Sequence, residues 1–335
     1  MNVIIRSPNW IGDCIMSIPA IKSLKYGFEN TDIFIVTKPN LKNIFLSVKE
    51  ISGIITISDN FSFTNIKKLS KKIKEFGIEE GILFTNSFSS ALMLKLAGIK
   101  HLTGFRRDMR GFLLSNMEKF PTEILHQEDF YKRLISIFRD KVEKKDYSNE
   151  IFLTKSELKK SAELLDDMGV DCQKKIIGIS PFTAYGSAKE WIPEYFVNLI
   201  KDLKKRFNCE IVLFGSPKEE SKLRSLSENL QNDIHFVSSG FSLREAMIII
   251  SKLDFFIGND SGLMHIASSF NIPLIGIFGP TLPEKSFPRN ATSHLVYKEV
   301  DCSPCNHREC PIDHRCMRSI KPKEILEVVT TFIKS

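Results

Sequence analysis

Residues 253–281, LDFFIGNDSGLMHIASSFNIPLIGIFGPT, constrain the fold more than any other stretch of the chain. An apolar run over 253–257 stops at Gly258, and the polar Asn259-Asp260-Ser261-Gly262 follows. Leu263, Ile266 and Ala267 then recur at helical spacing, and a second apolar run covers 272–278. Strand, turn, helix, strand is the unit that builds parallel sheets. Asp260 and Ser261 suit the N-cap and first turn of the helix. A helix that begins here aims free backbone N–H groups and its positive dipole end above the sheet. Gly262 lets an anion approach the backbone, so the natural guest is a phosphate or diphosphate. The plain alternative is a turn capped by Asp260 that binds nothing. His265, one helical turn beyond Ser261 and facing the same mouth, favours a ligand, as do two partner stretches described below.

The same alternation runs through the whole chain. Strands are expected at 2–6, 32–37, 54–57, 81–85 and 101–105, with helices at 14–28, 40–47, 64–76 and 88–97; residues 107–150 read as mainly helical. A second series has strands at 175–180, 210–214, 234–237, 254–258 and 273–278. Its helices fall near 156–168, 193–206, 217–230, 242–251 and 261–269, and a last helix covers 322–333. Such alternation predicts an α/β protein of two Rossmann-like, doubly wound domains facing a central crevice, with ligands beyond the carboxyl ends of the strands. The polar run 140–150 marks the boundary, giving domains 1–150 and 151–320 and a terminal segment 321–335.

At 335 residues the chain is long enough for two cores. No apolar stretch reaches the roughly 20 residues that span a bilayer, and the N-terminus has no basic-flanked apolar leader. Seven cysteines, an odd number, fit a reducing cytoplasm better than a disulfide framework. The net charge of +7 sits almost wholly in the first half, where residues 1–150 hold 23 Lys and Arg against 17 Asp and Glu. That balance suggests an anionic partner: nucleic acid, a phosphorylated substrate or a membrane surface. KKLSKKIKEF (67–76) reads as a solvated face. Arg106, Arg107 and Arg110 of GFRRDMRGF are better suited to bidentate phosphate contact.

Two further turns carry polar equipment. Arg6, Asn9 and Asp13 lie in a strand-to-helix turn without the G-x-G-x-x-G spacing of dinucleotide folds. Asp13 is either a helix cap or, facing a sugar hydroxyl, a general base. The loop 178–191, GISPFTAYGSAKEW, sets small residues around Lys189, a point charge for a departing diphosphate. FGSPKEE (214–220) places Glu219 and Glu220 beyond another strand, where a carboxylate binds ribose hydroxyls or serves the helix dipole. The missing glycine fingerprint disfavours a nucleotide-dependent oxidoreductase. His-Glu-x-x-His, Gly-x-Ser-x-Gly and EF-hand patterns are missing too, which leaves hydrolase chemistry little support.

RSPNWIGDCIMSIPAI, SPFTAYGSAKEW, FGSPKEE, GNDSGLMHIAS and FGPT, in this order and spacing, resemble the ADP-heptose:lipopolysaccharide heptosyltransferases. These are family 9 glycosyltransferases of the GT-B architecture, and the likeness runs from residue 3 to beyond 317. The tail CSPCNHRECPIDHRCM (302–317) is most similar to the heptosyltransferase II branch. The resemblance implies inverting, metal-independent transfer of L-glycero-D-manno-heptose from ADP-heptose, with no cofactor. The acceptor it implies is the first inner-core heptose of a phosphorylated heptosyl-Kdo-lipid A, at the cytoplasmic face of the inner membrane. It makes Asp13 the base and sets Lys189 on the diphosphate, with Thr183 beside it. Asp260, Ser261, Gly262 and His265 fall on the donor, Glu219 at the ribose and Phe241 at the adenine. Arg6, Asn9, Arg106, Arg107 and Arg110 are the candidates for the acceptor, and the last helix crosses back to the first domain. Phe182, Thr183 and Ser187 stand where the family commonly has glycine, alanine and proline.

Heptosyltransferases I and III, with other inner-core acceptors, are the near alternatives. From a different class comes a zinc-containing nucleic-acid binder, since Cys302, Cys305, Cys310 and Cys316, with His307 and His314, offer soft ligands. Their irregular spacing favours a metal-free loop, and a nucleic-acid binder leaves Asp13, Lys189 and the 258–265 turn idle.

Overall fold

The computed structural model describes residues 1–28, 30–58, 61–139, 146–228, 230 and 234–334. It divides into two compact units, Met1–Ile151 and Phe152–Ser335. Of the polar run 140–150, residues 140–145 lie outside the described residues.

The first unit contains β1 (Asn2–Arg6), α1 (Ile11–Met16), α2 (Ile18–Gly27), β2 (Asp32–Thr37), α3 (Lys42–Phe45), β3 (Gly53–Thr56) and α4 (Phe63–Glu75). It continues with β4 (Glu80–Leu83), α5 (Phe88–Ala97), β5 (His101–Arg106), β6 (Asn116–Lys119) and α6 (Gln127–Phe138). The second unit contains α7 (Lys155–Asp167), β7 (Ile176–Ser180), α8 (Pro193–Phe207), β8 (Glu210–Phe214), α9 (Glu220–Ser227), β9 (Ile234–Val237), α10 (Leu243–Ile250) and β10 (Phe255–Asn259). After these come α11 (Gly262–Ser269), β11 (Leu274–Phe278), α12 (Pro283–Ser286), β12 (Ser293–Tyr297), α13 (Arg315–Arg318) and α14 (Pro322–Lys334).

Each unit holds a six-stranded sheet, in the orders β3-β2-β1-β4-β5-β6 and β12-β11-β10-β7-β8-β9. All pairings are parallel; Ile4 of β1 lies beside Phe34 on one flank and Gly81 on the other. The central strands are apolar along their length because helices cover both faces of a parallel sheet. Val3, Ile4 and Ile5 are fully buried in β1, as are Ile177 and Ile179 in β7. Both orders are doubly wound and reverse direction once, between β1 and β4 and between β7 and β10. The loops after those strands are the places such sheets offer to ligands.

Three segments differ from the periodicity-based expectation. Among the described residues of 107–150, expected to be mainly helical, only α6 is α-helix, and the strand β6 is included. β12 likewise forms where no strand was expected. Both are edge strands of four or five residues, with part of each exposed, so neither carries the apolar run that marks a central strand. The helix expected over 14–28 is two helices that meet at Ser17, because Pro19 in the first turn of α2 has no N–H to continue the ladder. α5 shows a boundary set by its caps. Ser87 accepts the Ser90 N–H at 3.3 Å to start α5, and Gly98, at φ +110°, ends it.

The second core is built around Trp191, which is fully buried, donates its indole N–H to Ile320 O at 3.0 Å and meets Phe196 edge-on at 4.9 Å. Truncating such a side chain costs about 3–5 kcal/mol. Since Trp191 ends the loop that carries Lys189, the core anchors that loop. The terminal helix α14 belongs to this unit: Ile325 and Val329 are buried in its core, and the Phe332 ring lies 5.6 Å from Phe255. Among the described residues no helix is long and apolar enough to cross a membrane.

Candidate active site

In the second unit, the loops after β7 and β10 are fastened to each other by Asn259. This fully buried side chain donates to Pro181 O at 2.8 Å and accepts the Trp191 N–H at 3.0 Å. The tie brings Lys189 against Asp260, where Lys189 Nζ forms an ion pair with Asp260 Oδ2. Thr281 Oγ1 donates to the same oxygen at 2.8 Å, and the Tyr185 ring lies 4.5 Å from the ammonium. The two charged side chains are only 12% and 7% exposed. An ion pair so enclosed is costly to break from one side, because the remaining charge is left uncompensated.

Ser261 stands at the N-cap of α11 with extended backbone, yet its side chain makes no cap bond. Its Oγ is buried with no hydrogen-bond partner among the described residues. A buried hydroxyl without a partner is unfavourable, and here it adjoins the first N–H groups of a helix, the standard setting for an anion. Gly262 opens that helix, and His265 is buried one turn further on. Thr183 holds the start of the Lys189 loop: its N–H donates to Glu190 Oε1 and its hydroxyl to Gly186 O, both at 3.3 Å. Phe182 is buried in the core, under Lys222 at 5.1 Å.

The loop is braced from the cysteine-bearing tail. Ala188 N–H donates to Arg308 O at 2.9 Å, the Tyr185 hydroxyl donates to Asn306 O at 2.7 Å, and His314 Nε2 donates to Ala188 O at 2.8 Å in that tautomer. Gly186, at φ +148°, lies so close to this tail that a Cβ would stand 2.3 Å from Arg308 O. No other residue fits there. Cys302, Cys305, Cys310 and Cys316 are free thiols lining one pocket of about 240 Å³ with His307 and His314. Burial pushes the Cys316 thiol up to about 11. Among the described residues no three His, Cys, Asp or Glu side chains are grouped to hold a metal ion. The contacts seen in the tail are those of a brace.

Glu219 closes a capping box, its Oε2 accepting from Ser216 N at 2.7 Å and Ser216 Oγ at 2.8 Å, beyond the end of β8. Phe241 is half-buried just before α10.

In the first unit, Asp13 lies half-buried in the first turn of α1, and its Oδ1 accepts the Tyr131 hydroxyl at 3.1 Å. Burial first, and then the Asp13 charge, raise the Tyr131 phenol well above its ordinary value, so it stays a donor. Arg6 is buried and donates to Ser7 O at 2.8 Å, to Val36 O at 3.3 Å and to Asn9 Oδ1 at 2.9 Å, which leaves Asn9 exposed at the tip of the turn. Arg110 corrects the sequence-based expectation. It is fully buried and donates to Phe105 O at 3.0 Å, Thr85 O at 2.5 Å and Asn86 Oδ1 at 3.1 Å. Burial lowers its pKa to about 10. A guanidinium committed to those oxygens holds a turn together and does not reach a ligand. Arg106 and Arg107 are exposed, Arg107 lying 4.3 Å over the Phe120 ring.

Asn259, Tyr185 and Tyr131 escaped the sequence reading, because their partners lie 78, 121 and 118 residues away. Thr281 carried a signal, standing in the FGPT that ends the opening stretch.

Two doubly wound sheets, each with polar turns beyond its reversing strands, and a lysine held by aspartate beside a helix N-terminus, define a doubly wound α/β protein whose second sheet offers a setting suited to an anion. The sequence pattern of glycosyltransferase family 9 (heptosyltransferase) matches residues 66–315. The chain is 29% identical to lipooligosaccharide heptosyltransferase 2 of Campylobacter jejuni, covering 98% of both chains. It is 26% identical to lipopolysaccharide heptosyltransferase 2 of Escherichia coli, over 99% of both. The solved structure of Escherichia coli ADP-heptose lps heptosyltransferase II superposes with a TM-score of 0.86 at 23% identity, covering 99% of this chain and 98% of that one. The protein belongs to glycosyltransferase family 9, which displaces the nucleic-acid-binding alternative.

Proposed function

We propose that the chain transfers L-glycero-D-manno-heptose from ADP-heptose to the first heptose of the lipopolysaccharide inner core, with inversion and without a cofactor. The observation that carries this reading is Lys189 held by Asp260 at the reversal point of the second sheet. Whole-chain likeness to heptosyltransferase 2 proteins favours this acceptor over those of heptosyltransferases I and III.

The donor diphosphate lies at the N-terminus of α11, where Ser261 Oγ and the first N–H groups donate to it and Gly262 permits close approach. Lys189 neutralises the charge that develops as ADP leaves, with Thr183 shaping its loop. Asp260 orients Lys189 and accepts from heptose hydroxyls, with His265 on the same helix. Glu219 takes the ribose and Phe241 the adenine. Asp13, positioned by Tyr131, takes the proton of the acceptor hydroxyl as its oxygen bonds to the anomeric carbon. The bond from that carbon to the diphosphate oxygen breaks, and its electron pair departs with ADP. Asn9, oriented by Arg6, and the exposed Arg106 and Arg107 meet the phosphorylated heptosyl-Kdo-lipid A. The protein works peripherally at the cytoplasmic face of the inner membrane, without nucleic acid.

The test is ADP release from ADP-heptose and that acceptor in the presence of a chelator. Wild type turns over. Asp13→Ala loses roughly 10²–10⁴ in kcat and still binds ADP. Turnover only on an acceptor that lacks the first heptose assigns the protein to heptosyltransferase I, and neither turnover nor ADP binding sinks the reading.

A further inference from the structure

β5 ends at Arg106, and the chain then turns through residues 107–113. Asp108 and Met109 both adopt left-handed backbone, at φ +48° and +58°, a conformation that non-glycine residues take only when their surroundings impose it. What imposes it is Arg110, buried beneath the turn on Phe105 O, Thr85 O and Asn86 Oδ1. The consequence is an outward display of apolar side chains. Met109 is 89% exposed and Phe112 is 78% exposed. The Phe112 ring lies 6.1 Å from Phe88, the first residue of α5 and itself exposed. Phe63, which begins the neighbouring helix α4, is 86% exposed. Helices α4 and α5 start beyond the carboxyl ends of β3 and β4, the same edge of the sheet from which the turn after β5 leaves.

Water drives such side chains inward unless something else covers them. Charge decides what covers these. Arg106 and Arg107 stand exposed at the start of the turn, and Asp108, the acid within it, is 3.7 Å from Arg107. Residues 1–150 carry a balance of +6, 23 cations less 17 anions. A second copy of this unit would bring like charge against like. Apolar tips beside arginines suit an anionic lipid surface, whose phosphates meet the guanidinium groups while the tips enter the headgroup layer.

We propose that the 106–113 turn, with Phe88 and Phe63, docks this protein on an anionic bilayer. Met109 and Phe112 are the inserting tips. The proposal rests on the functional reading above only in that a lipid-linked acceptor needs the enzyme at a membrane.

The experiment is flotation of the 335-residue chain with vesicles of phosphatidylethanolamine and phosphatidylglycerol containing no acceptor, compared with the variant Met109→Asn/Phe112→Ser. Asparagine tolerates the left-handed backbone at 109, so the turn survives; an unchanged melting curve checks this. Wild type is expected to float with the anionic vesicles and far less with phosphatidylcholine, and the variant to bind about tenfold more weakly. Turnover of a deacylated acceptor in solution is expected to be equal for both, whereas turnover of acceptor embedded in vesicles falls for the variant. Wild type that stays in solution, a variant that floats equally well, or binding that appears only when the vesicles contain acceptor overturns the proposal. Vesicle binding without turnover of any acceptor sinks the functional reading and leaves the docking surface standing.

Discussion

The two units share a strand order, and each sets polar residues at its reversal point, yet they place their cations differently. In the first unit, Arg6 and Arg110 are buried and bonded to backbone carbonyls. The half-buried charge near the turn is a carboxylate, Asp13, held by the neutral donor Tyr131. In the second unit the cation, Lys189, is held by the side chains Asp260 and Tyr185. A guanidinium bonded to buried carbonyls cannot leave them without orphaning them. An ammonium paired with a carboxylate can share itself with a second anion at little cost. One half thus holds a half-buried carboxylate and the other an ammonium able to meet a second anion, which is the division the proposed function uses.

The sharpest test of that contrast is Lys189→Met. It removes the charge proposed to meet the diphosphate and leaves Asp260 enclosed without its cation, so kcat/KM is expected to fall roughly 10²–10³-fold, with weaker ADP binding. The double variant Lys189→Met/Asp260→Asn should recover melting temperature without recovering activity. Retained ADP affinity in the single variant would break the comparison.

Arg110→Met probes the opposite arrangement. Three oxygens lose their donor, and a loss of roughly 2–4 kcal/mol is expected in urea unfolding, with the acceptor KM unchanged. A raised KM at unchanged stability would return Arg110 to the acceptor and make the two halves alike.

The smallest expected effect is a pH dependence carried by two ion pairs of the second unit. Arg244, bonded bidentately at 2.7 and 2.9 Å, holds the Glu157 carboxyl down to about 2, and Lys160 holds Glu245 down to about 2. Between the ordinary carboxylate value near 4.5 and that of the fold, the unfolded chain binds more protons. Stability from these pairs is therefore complete above about pH 5 and lost as pH falls toward 2. Both pairs are partly solvated, so the loss is about 1 kcal/mol for each. Emission from the buried Trp191 reports it, and Arg244→Met should flatten the slope.

Much of the fold was legible because parallel strands buried on both faces write themselves as short apolar runs. β1, β2, β7 and β8 fall where those runs lie. β6 and β12 were not legible, since an edge strand needs only a partner on one side and little apolar content. The site was legible where chemistry and chain order coincide, at 178–191 and 258–265.

By itself, the sequence determined two α/β halves, the turns that carry Asp13, Lys189 and Asp260, and the family. Only the tertiary structure decided which charges face outward. Arg106, Arg107 and Arg110 are equivalent as letters, but Arg110 is buried by carbonyls about 25 residues upstream, and the other two are left in solvent. It alone decided that the cysteine-bearing tail braces the Lys189 loop, through Arg308 O against Gly186 and Ala188. Periodicity is a property of neighbours along the chain. The partner of a polar group is set by residues that only folding brings near.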